Sequence, residues 1–262
     1  MYPIRNYGEN AEQMRNKCGQ DVRDPDLERG LPVRIYIKKE TIKVMQKENP
    51  LKFKTFYNRR LPHIQPEEGI FFITYRLDFT YPEEYLSQLH KKQQEFEKLV
   101  LNTAKDKRKR KIEELNKILF DIEDNFLQKI NSPQWLSNKE VATIIQDSLF
   151  FNHHKAYNLL CYCIMPNHVH VLLKPLKDPS NLYYSLSRIM HNHKSFTAQK
   201  CNKILKRTGT FWYPDFYDHY IRNEKELYNV VNYILNNPVK AGLCDNWEDW
   251  EFSWMNDDLL SL

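Results

Sequence analysis

The sequence predicts an α+β fold: an antiparallel β-sheet with helices packed on it, interrupted by a charged helical hairpin. Three stretches carry that expectation. Tyr157 to Met165 and His168 to Leu173 are short apolar runs on either side of Pro166-Asn167, and apolar runs flanking turn residues pair as a β-hairpin. Ile70 to Leu77 is aromatic and β-branched between Gly69 and Pro82, as a central strand requires. Residues 83 to 131 contain neither Gly nor Pro. Within them Ile112, Leu115, Leu119, Ile122 and Phe126 recur at spacings of three and four, the pattern of a coiled-coil seam.

Taken in order, residues 1 to 30 are polar, without period, and carry Gly8, Gly19 and Gly30; they read as a flexible tail. Val33, Ile35 and Ile37 alternate as in a strand, among Lys38, Lys39, Lys43 and Lys47. Lys52 to Arg60 interleaves Phe53, Phe56 and Tyr57 with cations and ends in Arg59 and Arg60. That pattern suits a nucleic-acid strand, whose bases stack while its phosphates pair, and suits an exposed sheet edge equally well. We therefore expect a weakly structured extension over 1–50 and a domain over 51–262 that carries the helical insertion 83–131. Leu86, Leu89, Phe96 and Val100 form a looser stripe in the insertion, and Lys105 to Lys111, nearly all basic, sits at or near its tip. Such a run is either a solvated turn or a DNA contact.

Ser137 and Glu140 have capping-box spacing, with Leu136 and Val141 as a hydrophobic staple. Val141, Ile144, Ile145 and Leu149 form the buried stripe of the helix that follows. It ends near Phe151 to His154, whose histidines read as turn residues. Beyond the hairpin, a helix from about Asn181 to Lys203 places Leu182, Leu186, Ile189, His193 and Phe196 on one face. His193 is thus a core residue, whereas Arg188 and Lys194 on other faces could reach a phosphate. Thr208 to Trp212 turns into a strand over Phe216 to Arg222. Asn223 caps the last long helix, with Glu226 three residues on and Leu227, Val230, Val231 and Ile234 as its stripe. Pro238 stops it, because the residue before a proline disfavours the helical region.

Composition narrows the function classes. An apolar fraction of 41% in 262 residues supports a packed core. Lys and Arg number 39 against 34 for Asp and Glu, an excess of 39 − 34 = 5, which permits a nucleic-acid partner without demanding one. Five cysteines, an odd number with no secretory segment, point to reduced thiols. No run of about 18 apolar residues occurs, so a soluble, cytoplasmic protein is expected. A Walker-type glycine loop is absent.

Alternation along a strand puts His168 and His170 on one face and Val169 on the other. Two imidazoles one pleat apart suit a metal or phosphate site; the other reading is a pair of satisfied core histidines. With 16 tyrosines, the nucleophile is an open question on residue type alone. Tyr233 falls about 110° from the centre of the buried stripe on a helical wheel, at its rim, and Asn237 points the same way. Geometry alone favours an ordinary amphipathic tyrosine with its hydroxyl in water.

Met165-Pro-Asn-His-Val-His170 resembles the HUH motif of single-tyrosine nucleases, and the flanking sequence is similar to REP-associated tyrosine transposases, relatives of small insertion-sequence transposases. Leu61-Pro-His63, Phe72 to Leu77, Phe211-Trp212, Tyr217-Asp-His-Tyr-Ile-Arg222 and Tyr233-Ile-Leu-Asn-Asn-Pro-Val-Lys-Ala-Gly-Leu243 follow the order of that family. The likeness covers roughly residues 60 to 80 and 132 to 254. It implies a ferredoxin-like sheet, with Tyr233 as nucleophile and His168, His170 and Asn237 around a divalent cation, Mg²⁺ or Mn²⁺. It further implies hairpin-forming single-stranded DNA as substrate, a 5′-phosphotyrosine intermediate, strand transfer without a nucleotide cofactor, a monomer or homodimer, and association with the nucleoid. Nucleic-acid contacts are expected from Arg59, Arg60, Arg188, Lys194, Trp212, His219 and Arg222. Two alternatives stand beside this: a catalytically silent protein that binds hairpin DNA or RNA, and a zinc site of Cys161, Cys163, His168 and His170. The second depends on hairpin register.

Overall fold

The computed structural model describes residues 53–58, 62–85 and 120–257, with isolated positions between 87 and 118 and at Leu259. The extension 1–50, Arg59, Arg60 and the basic run 105–111 lie outside the described residues. Strands β1 (Phe53–Asn58) and β2 (Pro62–Pro66) form a small antiparallel sheet of their own. The main sheet takes β3 (Ile70–Arg76), β4 (Tyr157–Ile164), β5 (His168–Pro175), β6 (Tyr217–Ile221) and β7 (Ser253–Met255) in the order β6-β3-β5-β4-β7, antiparallel throughout. Helix α1 (Lys139–Asn152) lies between β3 and β4 in sequence, and α2 (Leu186–Ile204) between β5 and β6. Four strands ordered 4-1-3-2 with those two crossovers make the ferredoxin-like arrangement, to which β7 adds an edge.

Every residue of β3 is buried, so the central strand is covered on both faces. Phe71, Ile73 and Tyr75 face α1 and α2, joining Val141, Ile145, Leu149, Leu186 and Ile189 in the larger core. Ile70 and Phe72 face the other way, toward helix α3 (Glu224–Leu235) and its Leu227, Val231 and Ile234. Removing such side chains from water contributes about 1.5–3 kcal/mol each, and this alternation fixes the register of the strand. Gly69 immediately precedes β3, and a Cβ added there would stand 2.8 Å from the Phe71 ring.

The predicted hairpin is present, with Met165 to Asn167 between β4 and β5. A bulge between Leu159 and Cys161 in β4 shifts the pairing with β5. Its physical effect is a change of phase: Tyr157 and Leu159 face α1 and α2, but beyond the extra residue Tyr162 and Ile164 do so, and Cys161 and Cys163 share the α3 face.

Helix starts depart from expectation at two places. Asn138 rather than Ser137 caps α1, its side chain accepting from the backbone N–H groups of Glu140 and Val141, while Trp135–Ser137 forms a 3-10 turn. Helix α2 begins at Leu186 behind the cap Ser185, not at Asn181. Leu182 precedes it and is exposed, and Phe196 projects outward instead of into the core. Asn223 caps α3 as expected. Helix α3 ends at Leu235, and the short helix α4 (Asn237–Lys240) follows with Pro238 in its first turn.

His193 is a core residue, as its position in the stripe implies. Tyr75 Oη lies 2.7 Å from Nε2 and Ser148 Oγ 2.9 Å from Nδ1. Burial, then the nearby Lys194, pushes its pKa down to about 3. Unfolded, the imidazole protonates near pH 6.5; folded, it resists until about pH 3. Stability is therefore unaffected above pH 6.5 and falls by up to about 1.4 kcal/mol per pH unit through the window below. His168, also held down to about 3 by burial, acts in the same direction. Replacing His193 by Gln, which keeps one donor and one acceptor, is expected to flatten the acid limb of the stability–pH curve by one proton's slope, measured by urea unfolding between pH 4 and 7.

Candidate metal centre

The α3 face of the sheet carries His168 and His170 on β5, Thr74 and Arg76 opposite them on β3, and Cys163 opposite His170 on β4. Both histidines are essentially solvent-free, at 1% and 0% exposure. Each is oriented from behind. Asn167 Oδ1 can only accept, so His168 carries its proton on Nδ1 and donates it over 2.6 Å. The Asn237 amide nitrogen donates to His170 Nε2 at 3.0 Å. On the other side of the ring, Thr74 Oγ1 is hydrogen-bonded to Nδ1 at 2.8 Å.

The two Nε2 atoms face each other across 3.1 Å. A third donor joins them. Asp124 Oδ1 lies 3.3 Å from His170 Nε2 and 3.6 Å from His168 Nε2, is buried, and completes no hydrogen bond. Burial pushes the Asp124 carboxyl up, but His170 and then His168 override it and hold the group below the usual carboxylate range. Burial, followed by His170, keeps His168 neutral at pH 7. A carboxylate oxygen and two imidazole nitrogens thus converge on one point.

Ligand atoms about 2.1 Å from one cation stand about 3.0–3.4 Å apart, close to the separations observed. Asp124, His168 and His170 could hold a metal ion, and among the described residues they are the His, Cys, Asp and Glu group that converges in this way. Asn237 is fully buried beside them, but it presents its amide nitrogen to His170 while Oδ1 accepts from Gln128 at 3.3 Å. Its oxygen would have to turn inward to serve as a ligand. The cysteines share the face without joining the group. Cys163 Sγ packs 3.6 Å from Met165 Sδ, and burial pushes its thiol up to about 12, away from the thiolate that zinc requires.

Tyr233 on α3 lies over this cluster, its ring 5.4 Å from His170, 5.8 Å from Phe72 and 5.9 Å from Phe120. Its side chain is at the rim, as the wheel indicates, but its hydroxyl is sealed and without a hydrogen-bond partner. Burial first and Asp124 second raise its pKa above that of a free phenol.

Asp124 is the residue that sequence reasoning missed. It belongs to the helical segment 120–127, inside the tract read as an insertion. Phe120 packs that segment against Tyr217 at 4.4 Å and against Phe72 at 5.4 Å. Asn167 donates to Leu127 O at 2.8 Å and so ties the segment to the hairpin turn. Asp121, Asp124 and Glu123 look alike in sequence, and no local signal distinguishes the one that turns inward.

The expected nucleic-acid contacts scatter. Trp212 is 4% exposed, its indole N–H donates to Thr197 Oγ1, and its ring packs on Tyr75; it is a core residue, not a stacking platform, because its polar atom is satisfied inside. Lys194 Nζ donates to the carbonyls of Tyr213, Pro214 and Asp215, so it holds a loop instead of facing solvent. His219 is paired with Glu226 at 2.7 Å, and the same carboxylate accepts from the Arg222 backbone N–H. Arg188 is exposed on the opposite side of the sheet, near the Tyr184 ring.

Residues 134–237 match the family described as "Transposase IS200 like". The chain is 32% identical over 114 residues to a putative REP-associated tyrosine transposase of Haemophilus influenzae, spanning 40% of this chain and 63% of the relative. It is 30% identical over 105 residues to the REP-associated tyrosine transposase of Escherichia coli K12, spanning 40% of this chain and 58% of that protein. The chain therefore covers about three fifths of the length of each of these relatives. A solved structure of a REP-associated tyrosine transposase bound to a REP hairpin aligns with 76% of this chain and 82% of its own, at 17% identity and a TM-score of 0.45. The likeness to tyrosine transposases rests on the family segment and on these two relatives. Asp124 lies outside the matched family segment, whereas His168, His170, Tyr233 and Asn237 lie within it.

Replacing Asp124 by Asn is expected to weaken Mn²⁺ binding by at least the roughly 10–100-fold that loss of a supporting partner alone costs, with a smaller loss for Asn237→Ala. Calorimetric titration of the two variants decides the ligand set: undiminished affinity in Asp124→Asn removes the carboxylate from it.

Proposed function

We propose that the chain is a metal-dependent single-strand DNA endonuclease and strand transferase with Tyr233 as nucleophile and hairpin-associated DNA as substrate. The observation that carries this reading is the convergence of His168 Nε2, His170 Nε2 and Asp124 Oδ1 beneath a tyrosine ring on the neighbouring helix. The likeness of residues 134–237 to IS200-like transposases, and of the chain to relatives named REP-associated tyrosine transposases, supports the reaction class. On this reading the working unit spans 51–262 and includes part of the insertion 83–131, because Asp124 comes from there.

Bound divalent metal would withdraw charge from a non-bridging oxygen of the scissile phosphate and fix its orientation. His168, His170 and Asp124 would hold it, with Asn237 adjacent. Two imidazoles favour Mn²⁺ over Mg²⁺ in strength of binding. Thr74 and Asn167 lie against the two Nδ1 atoms and so leave both Nε2 atoms turned toward the place a cation would occupy. Tyr233 Oη would attack phosphorus, forming the phosphotyrosyl bond and breaking the bond to the 3′ oxygen. The phenol gives up its proton, and the leaving oxygen departs as a 3′ hydroxyl. Because Asp124 is one cause of the raised Tyr233 pKa, neutralising that carboxylate eases loss of the phenolic proton. One ester replaces another, so no nucleotide is consumed.

Incubating the full chain with a hairpin-forming oligonucleotide and Mn²⁺ is expected to give a covalent adduct that survives denaturing electrophoresis. Tyr233→Phe should abolish it while changing affinity for the oligonucleotide by no more than about twofold, since only a hydroxyl is lost. An adduct that persists in Tyr233→Phe identifies a different nucleophile. Binding without any cleavage leaves the protein a hairpin-binding one.

A further inference from the structure

Arg76 ends β3 directly opposite His168 and on the same face of the sheet. Its guanidinium is enclosed by three rings, 3.9 Å from Tyr213, 4.1 Å from Tyr81 and 4.9 Å from Phe79. Nη1 donates to the carbonyls of Leu77 and Phe79. Nε is buried and completes no hydrogen bond. The anion facing it is Glu123, whose Oε1 lies 3.3 Å from Nε and accepts the Tyr81 hydroxyl proton at 2.5 Å. Exposure is lopsided: the Arg76 side chain is 7% exposed and that of Glu123 38%. Glu123 also immediately precedes Asp124, so both groups arrive on one helical turn.

As a purely structural ion pair this is poorly made. A buried guanidinium is ordinarily matched by a carboxylate in parallel, bidentate hydrogen bonds; here one nitrogen meets one oxygen without hydrogen-bond geometry. The cation is fixed by rings and carbonyls, while the anion sits on the solvent side and can rotate away without moving the helix. Removal of the carboxylate would leave a rigid, buried positive charge next to the metal-binding histidines, with an unmet donor facing outward.

We infer that Arg76 is a phosphate-binding, positioning residue of this site, and that Glu123 occupies it in the resting fold until a phosphodiester of single-stranded nucleic acid displaces the carboxylate. The inference rests on the proposed function and adds to it a cation that would hold a phosphate beside the scissile one. It assigns Glu123 an opposite duty from Asp124. Asp124 stays with the metal; Glu123 yields its place to the substrate.

The test is binding of a fluorescent hairpin-forming DNA oligonucleotide by the full chain in EDTA, over a KCl series, so that neither metal nor adduct contributes. Glu123→Gln is expected to bind roughly fivefold tighter, and Arg76→Gln to bind correspondingly weaker with a log K against log salt slope smaller by about 0.7–0.9, the loss of one phosphate contact. The double substitution should behave as Arg76→Gln alone, because a carboxylate competes only where the cation is present. If Arg76→Gln does not fold, Arg76→Lys and Glu123→Gln still decide: the lysine should weaken binding without changing the salt slope, since charge is kept and the planar fork lost. Equal affinity and slope for Glu123→Gln and the unsubstituted chain overturn the inference while leaving the proposed function intact. Inorganic phosphate, at constant ionic strength, raising the melting temperature of Glu123→Gln where the oligonucleotide does not would make this a free-anion site and overturn it too. No oligonucleotide binding by the unsubstituted chain overturns the functional reading and this inference together.

Discussion

Three ligand atoms converging on one point organise this site. His168 Nε2 and His170 Nε2 are 3.1 Å apart, their rings held by Asn167, Thr74 and Asn237. Asp124 Oδ1 completes the triangle. Taking three polar groups out of water is costly by itself, and a sheet that bears them must be held by something else. Here that is two cores: the face toward α1 and α2 buries Phe71, Ile73, Tyr75, Val169 and Val171, and the face toward α3 buries Phe72, Leu172, Val231 and Ile234 around the polar cluster. The apolar packing bears the cost of burying these polar groups, which a bound cation would offset.

Much of the architecture was legible because its elements are locally consistent. The aromatic, β-branched run Ile70 to Leu77, the shared face of His168 and His170, the Asn223 cap and the helical stripe of Leu227, Val231 and Ile234 each follow from short-range physics, and each is present. The errors fall where neighbouring residues compete for one role. Ser137 and Asn138 are both good caps, and a 3-10 turn gives the position to the second. Trp212 has the look of an exposed aromatic, but Thr197, one helix away, offers its indole a partner inside.

The metal group was only half legible. His168 and His170 lie one pleat apart, so the strand period alone brings them together. Asp124 is 44 and 46 residues earlier in a tract of alternating charge, where an inward carboxylate resembles every outward one. What separates it is long-range: the packing of Phe120 on Tyr217 and the bond from Asn167 to Leu127 rotate one face of the segment onto the sheet. Neither contact is local in sequence. Arg76 and Glu123 are joined in the same non-local way.

Under the proposed function, the sealed hydroxyl of Tyr233 bears on specificity. A strand would reach the phenol only in conformations where its aromatic neighbours, Phe72 and Phe120, had parted, so every encounter would be taxed by the rarity of that open state. Each 1.4 kcal/mol of opening free energy lowers apparent affinity about tenfold. A ligand that made enough contacts to hold the rings apart would meet that cost, and one that touched only in passing would not. The enclosure would then work as a threshold, discriminating by how much of the ligand is engaged at once.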